Sequence, residues 1–165
     1  SKLTGEYYCR VFYEIYGLRT TSLRYFNVYG PRQNPKSEYA AVVPKFISST
    51  IKQNPIEIYG DGEQTRDFTF VEDVINANLL SCVSKKADGK ILNIAGGKRI
   101  SINELALKIM KILGKEVDII YRERREGDVK DSLADISLAK SLINYEPSYT
   151  LDKGLNETVQ YFKKN

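Results

Sequence analysis

The sequence predicts an α/β fold, on three observations. Runs rich in β-branched and aromatic residues alternate with segments of helical period along the whole chain. Glycine, proline and asparagine fall between these segments, where turns and helix ends need them. With 165 residues, 42% hydrophobic and 28% charged, the chain has a soluble globular composition and can bury a sizeable core.

Leu3, Tyr7, Tyr8, Val11, Phe12 and Ile15 recur at helical spacing, and Gly17 follows as a left-handed cap. Thr20 to Tyr29 reads as one strand. Its mixed apolar and polar residues suit a strand covered on both faces, and Gly30-Pro31 ends it. After a polar loop from Asn34 to Tyr39, Pro44 fits the first turn of a helix with Phe46, Ile47 and Ile51 as its stripe. Ile56 and Ile58 alternate with Glu57 and Tyr59 in a short strand before the turn Gly60-Asp61-Gly62. Val71 to Ser84 predicts a helix with Val74, Ile75, Asn78, Leu79 and Cys82 on one side, and Lys90 to Ala95 a strand ended by Gly96-Gly97.

Ser101 and Glu104 form a capping box for a helix to Leu113, which Gly114 stops. Val117 to Tyr121 reads as a strand and Arg122 to Asp131 as a charged loop. Helices near Ser137 to Ile143 and Leu151 to Lys163 flank Pro147. The pattern yields roughly four short strands. The apolar face of the first helix has few evident partners, so its packing surface is expected in sequence preceding Ser1.

A net charge of +4 is mild, and acidic residues are interspersed among the basic ones. This argues against a nucleic-acid partner and leaves local arginines free for an anionic small molecule. No apolar run reaches the roughly 18 residues of a membrane span, and no signal peptide is visible. Cys9 and Cys82 are far apart in apolar helical surroundings, which predicts buried free thiols and a cytoplasmic location. The chain contains no histidine, so acid–base chemistry falls to Tyr, Lys or carboxylates, and no metal site is expected.

Four segments could carry chemistry. Asn27 is an unusual residue at a strand's carboxyl edge, where parallel sheets bind ligands; a buried aromatic strand explains the same segment. Ala41, Val42 and Phe46 either open an ordinary helix or let a flat ring approach the backbone. Arg66, after the glycine turn, has the donor fork suited to phosphate, or else pairs with Glu63 or Asp67 in a hairpin. Arg125-Glu126-Gly127-Asp128 reads as a solvated loop or as a second cation with a carboxylate acceptor.

The blocks YFNVYGPRQ, YAAVVPKF, IYGDGEQTRDFTFVEDV, NIAGG and REGDV, in this order, resemble the nucleotide-sugar 4-epimerases among the extended short-chain dehydrogenase/reductases. The resemblance covers essentially the whole chain. It implies the C-terminal part of a Rossmann-type enzyme with its smaller substrate-binding domain. Residues 1–30 would be the tail of the Rossmann domain and 31–165 mainly the UDP-sugar domain, with 67–95 returning to the Rossmann sheet. Lys2 would be the lysine of the Tyr-x-x-x-Lys motif, catalytic and bound to the nicotinamide ribose of NAD. Tyr25, Phe26 and Val28 would lie against the cofactor.

By the same resemblance, Asn27 holds the substrate near its diphosphate and sugar, and Tyr39 to Phe46 form the uridine pocket, with Ala41 and Val42 at the uracil edge. Arg66 and Arg125 grip the diphosphate, Tyr59 lines the same pocket, and Asp128 takes the ribose hydroxyls. Ser132, being small, would admit N-acetylated sugars. The reaction implied interconverts UDP-glucose and UDP-galactose through a 4-keto sugar, in a homodimeric full-length enzyme. The family's G-x-x-G-x-x-G loop, catalytic Ser/Thr and catalytic Tyr would precede Ser1, so this chain alone is expected to be inactive. UDP-glucuronate decarboxylases, nucleotide-sugar dehydratases and a non-catalytic nucleotide-sugar-binding piece are the competing readings.

Overall fold

The computed structural model describes residues 1–35 and 41–164. Its helices are α1 (Lys2–Tyr16), α2 (Val42–Ile51), α3 (Val71–Val83), α4 (Ile102–Leu113), α5 (Ser137–Ile143) and α6 (Leu151–Lys164). Its strands are β1 (Thr21–Tyr25), β2 (Val28–Tyr29), β3 (Ile56–Tyr59), β4 (Thr65–Asp67), β5 (Thr69–Phe70), β6 (Lys90–Ile94), β7 (Arg99–Ser101) and β8 (Ile119–Arg122). Among the described residues the strands form four pairs: β1–β6, β2–β5 and β3–β8 parallel, β4–β7 antiparallel.

Two apolar clusters organise these elements. One surrounds β6, where Leu92, Ile94 and Ala95 pack with Ala77 of α3, Ala139 and Ile143 of α5, and Tyr145. The other joins α2, α4 and α6 over β3. It holds Phe46, Ile47, Ile56, Ile58, Leu105, Ile109, Leu155 and Val159. Each fully buried aliphatic side chain stabilises the fold by about 1.5–3 kcal/mol.

Local signals set the second cluster. Ser101 Oγ accepts the Glu104 backbone N–H, and the Glu104 carboxylate accepts the Ser101 N–H, so the capping box starts α4. Gly114, at φ 63°, ends it in the left-handed region. Gly154 brings α6 close to Tyr29, whose hydroxyl donates to the Leu151 carbonyl; a Cβ on Gly154 would lie 2.2 Å from that hydroxyl oxygen.

Helix α1 contributes no buried residue. Arg24 makes a two-pronged bond to Glu6, the Thr20 hydroxyl donates to the Cys9 carbonyl, and the Tyr13 ring closes on Gly89. Leu3, Tyr7 and Ile15 remain 54%, 60% and 68% exposed.

Several expectations are corrected. Thr20–Tyr29 is not one strand: Asn27 adopts φ 36°, which breaks the run into β1 and β2. Among the described residues there are eight strands, not roughly four, because β2, β4, β5 and β7 have two or three residues each, too few for alternation to register. Helix α3 turns Asp73, Val74 and Ala77 inward and leaves Ile75, Leu79 and Cys82 exposed. The cause is Asp73, whose carboxylate accepts the Ser148 N–H and hydroxyl at 2.8 Å and the Tyr149 N–H at 3.3 Å, so it is buried with full satisfaction. The cysteines are free but not buried, since Cys9 is half-buried and Cys82 exposed. Among the described residues, no helix is long and apolar enough to cross a membrane, and no group of three or more His, Cys, Asp or Glu could hold a metal.

Candidate functional site

A cavity of about 450 Å³ opens where β2, the start of α2, the ends of β3 and β4, and the loop after β8 converge. Asn27, Val28, Ala41, Val42, Phe46, Tyr59, Arg66, Arg125 and Asp128 all line it. Tyr29, Lys45, Glu57 and Gln64 complete much of the remaining wall.

Arg66 reaches the cavity from β4. Its Nη2 donates to Asp128 Oδ1, and its Nη1 donates to the carbonyls of Thr65 at 2.7 Å and Lys130 at 3.3 Å. The Arg66 side chain is only 15% exposed, so the guanidinium is held rather than swinging in solvent. The pairings with Glu63 or Asp67 that a hairpin would favour are not made; Asp128 takes their place.

Arg125 reaches the cavity from the loop after β8. Its Cζ sits 3.9 Å from the centre of the Tyr59 ring, a cation–π contact. Glu57 is taken up by Arg122, with Oε1 accepting from Nη2 at 2.7 Å, which closes the β3–β8 edge.

The glycine turn supports both arginines. Gly62, at φ 78°, leaves space for Asn103, whose Oδ1 would lie 1.9 Å from a Cβ there. Asn103 Nδ2 donates to the Asp61 carbonyl at 3.0 Å and to Glu63 Oε1 at 2.7 Å, clipping the turn to α4. Gln64 Nε2 donates to the Tyr59 carbonyl at 2.7 Å.

Asn27 Nδ2 donates to the Asp67 carbonyl at 2.9 Å. Asp67 is fully buried, and burial pushes its carboxyl above the ordinary range against the pull of backbone N–H groups from Ala134, Gly97, Gly96 and Lys98.

Four predicted residues do not line the cavity. Lys2 is exposed on the first residue of α1. Tyr25 is half exposed, and its hydroxyl donates to Asn78 Oδ1 at 3.0 Å. Phe26 packs against the β6 cluster. Ser132 donates its backbone N–H to the Thr65 carbonyl at 3.1 Å, alongside the Thr65–Asp131 bridge. Tyr39 and Ala40 lie outside the described residues.

Sequence reasoning passed over Asp67, Gln64 and Asn103. Only Asp67 carries a signal, an acid directly between Arg66 and Phe68, which in the sequence reads equally as a salt-bridge partner of Arg66. A larger cleft of about 1040 Å³ runs between Gly96–Ile100, residues 133–137 and residues 146–152. It holds none of the predicted site residues, and two of its lysines are paired, Lys108 with Asp152 and Lys140 with Glu146. The smaller cavity, where two arginines and an aromatic face converge, is the better candidate.

Residues 1–95 match the family described as NAD dependent epimerase/dehydratase. The chain belongs to that family. Over 99% of its length it superposes on UDP-N-acetylglucosamine 4-epimerase from Methanobrevibacter ruminantium, solved in complex with UDP-N-acetylmuramic acid. That match has 44% identity, a TM-score of 0.94 and 52% of the other chain covered. UDP-glucose 4-epimerase from Thermotoga maritima, solved with UDP-glucose, matches at 40% identity and TM-score 0.94, covering 99% of this chain and 52% of that one. UDP-glucuronate 4-epimerase of Thermodesulfobacterium geofontis is 36% identical over 166 residues, covering 100% of this chain and 50% of that protein. The chain thus spans about half the length of these epimerase/dehydratase relatives. Its α/β fold is that of Rossmann-type proteins of this family, about half of whose chains it covers.

Proposed function

We propose that this chain is the UDP-sugar-gripping part of an NAD-dependent nucleotide-sugar 4-epimerase. The observation that carries the reading is the convergence of Arg66 and Arg125 on one cavity with Asp128, Phe46 and Asn27. Two guanidinium groups neutralise a diphosphate, and a flat ring suits a nucleobase. At about 450 Å³ the cavity is within the usual range for small-molecule sites.

The diphosphate competes with Asp128 for Arg66 Nη2 while Nη1 stays on the carbonyls of Thr65 and Lys130, so the fork keeps its aim. Asp128 Oδ2 is left to accept ribose hydroxyls. Gripping the UDP while leaving the hexose free lets a 4-keto sugar turn over and be reduced on its other face. Asn27, beside the carboxyl end of β1, faces the sugar end.

NAD, when bound, would supply the hydride transfer at C4. This chain's own contribution to its site is a rim only: Lys2 for the ribose, with Tyr25, Phe26 and Val28 beside the nicotinamide. The parallel β1–β6 pair supports assigning residues 1–30 and 67–95 to the Rossmann sheet. The 165 residues contain no G-x-x-G-x-x-G loop, so the isolated chain binds UDP without turning over sugar. Ser132 favours acceptance of N-acetylhexosamines, and the free thiols suit a cytoplasmic enzyme. The homodimer rests on the family resemblance.

The test is a product assay on the complete protein with UDP-glucose, UDP-N-acetylglucosamine and UDP-glucuronate. The expected products are the 4-epimers; a keto-deoxy sugar or released CO2 would replace this reading with the dehydratase or decarboxylase one.

A further inference from the structure

Asp67 is a fully buried carboxylate that the grip on UDP does not use. Its partners are backbone N–H groups. Gly96 donates to Oδ1 at 3.0 Å, and Gly97 and Ala134 donate to Oδ2 at 3.1 and 3.4 Å. The Gly96 turn comes so close that a Cβ there would lie 2.6 Å from the Phe68 carbonyl and 3.2 Å from Asp67 Oδ1. The Asp67 carbonyl meanwhile accepts Asn27 Nδ2. One residue therefore joins β4 to the break between β1 and β2, to the turn after β6, and to the segment beyond Asp128.

A buried carboxylate with only neutral partners is expensive to keep, and an apolar residue would fill the space more cheaply. What the carboxylate provides is direction. Successive side chains of a strand point to opposite faces, so anchoring Asp67 inward aims Arg66 outward. Arg66 lines the cavity; Asp67 does not.

We infer that Asp67 is a positioning residue, whose clasp on the Gly96-Gly97 turn and Ala134 holds Arg66 where a nucleoside diphosphate meets it. This rests on the nucleotide-sugar reading above. Asp67 touches no ligand and acts through Arg66. Asp67→Asn keeps the volume but turns an NH2 toward the backbone donors, which loosens the clasp.

The experiment is calorimetric titration of the complete protein with UDP and with uridine, for wild type, Asp67→Asn, Arg66→Ala and the double variant. Asp67→Asn should weaken UDP binding roughly three- to thirtyfold, as for residues sharing one network, and leave uridine binding unchanged. In the Arg66→Ala background the Asp67→Asn effect should vanish. A merely structural role lowers thermal stability without this UDP-specific, Arg66-dependent loss. Wild-type-like UDP affinity in Asp67→Asn, or equal losses for UDP and uridine, would overturn the inference alone. Failure of the wild type to bind UDP would instead remove the nucleotide-sugar reading beneath it.

Should Asp67→Asn not fold, amide exchange in the wild type decides, because coupling between two sites is reciprocal. Saturating UDP should slow exchange at Gly96 and Gly97 relative to Leu155 and Val159 in α6. Unchanged protection at the two glycines would refute the clasp.

Discussion

Arg66 and Asp128 form an ion pair across 62 residues of sequence, and it ties strand β4 to the charged loop after β8. In the same cavity, Arg125 of that loop lies over Tyr59 of β3. Two arginines thus cross in opposite senses between the loop and the strands. The loop is thereby tied to β4 and to β3 at two separate points.

The Arg66–Asp128 pair should be energetically coupled in UDP binding. Asp128→Ala removes the proposed ribose acceptor and a restraint on Arg66, so it and Arg66→Ala should be non-additive. A coupling energy of about 0.5–3 kcal/mol in a double-mutant cycle is expected. Simple additivity would mean that the two side chains serve the ligand independently.

Tyr59 should matter through its ring rather than its hydroxyl. Tyr59→Ala removes the surface on which Arg125 rests and should weaken UDP binding by about 0.5–2 kcal/mol, the range for a cation–π contact. Tyr59→Phe should bind like wild type. A comparable loss in both variants would assign the effect to the hydroxyl.

Gly154→Ala should destabilise the fold by crowding Tyr29 and Phe70. The added methyl meets the Tyr29 hydroxyl oxygen at 2.2 Å and Phe70 Cδ2 at 2.8 Å, in a packed region. Overpacking of this kind costs about 1–3 kcal/mol, read as a lowered denaturant midpoint. An unchanged midpoint would show that α6 shifts freely on Tyr29.

Acid should loosen α1. The Arg24 hydrogen bond, opposed by desolvation and aided by the Arg24 charge, holds the Glu6 carboxyl below its ordinary value. A depressed folded-state value means that the pair stabilises the fold fully above the unfolded carboxylate range. The contribution is lost as pH falls below about 4, toward the lower folded-state value. Glu6→Gln should flatten this part of the stability profile; an identical acid limb in the variant would exclude the pair.

Much of the helical frame was legible because its signals are local. Ser101, Glu104 and Gly114 bracket α4, and Ile56 and Ile58 alternate through β3. What escaped depended on distant partners. Asp73 turns α3 over because residues 148–149 satisfy it, and no window of helical periodicity contains those residues. Asn27 breaks its strand while bonded to Asp67, forty residues on. For the site, residue chemistry singled out Arg66, Arg125 and Asp128 separately. Nothing in their spacing brings them to one cavity; the order of the family blocks did, and the fold places them there.

Calorimetric titration with UDP of wild type, Arg66→Ala and Arg125→Ala tests the central claim most directly. The account predicts saturable binding by the wild type and a loss of about 1.5–3 kcal/mol in each variant, the range for hydrogen bonds to charged groups. No binding by the wild type, or unchanged affinity in both variants, would contradict it.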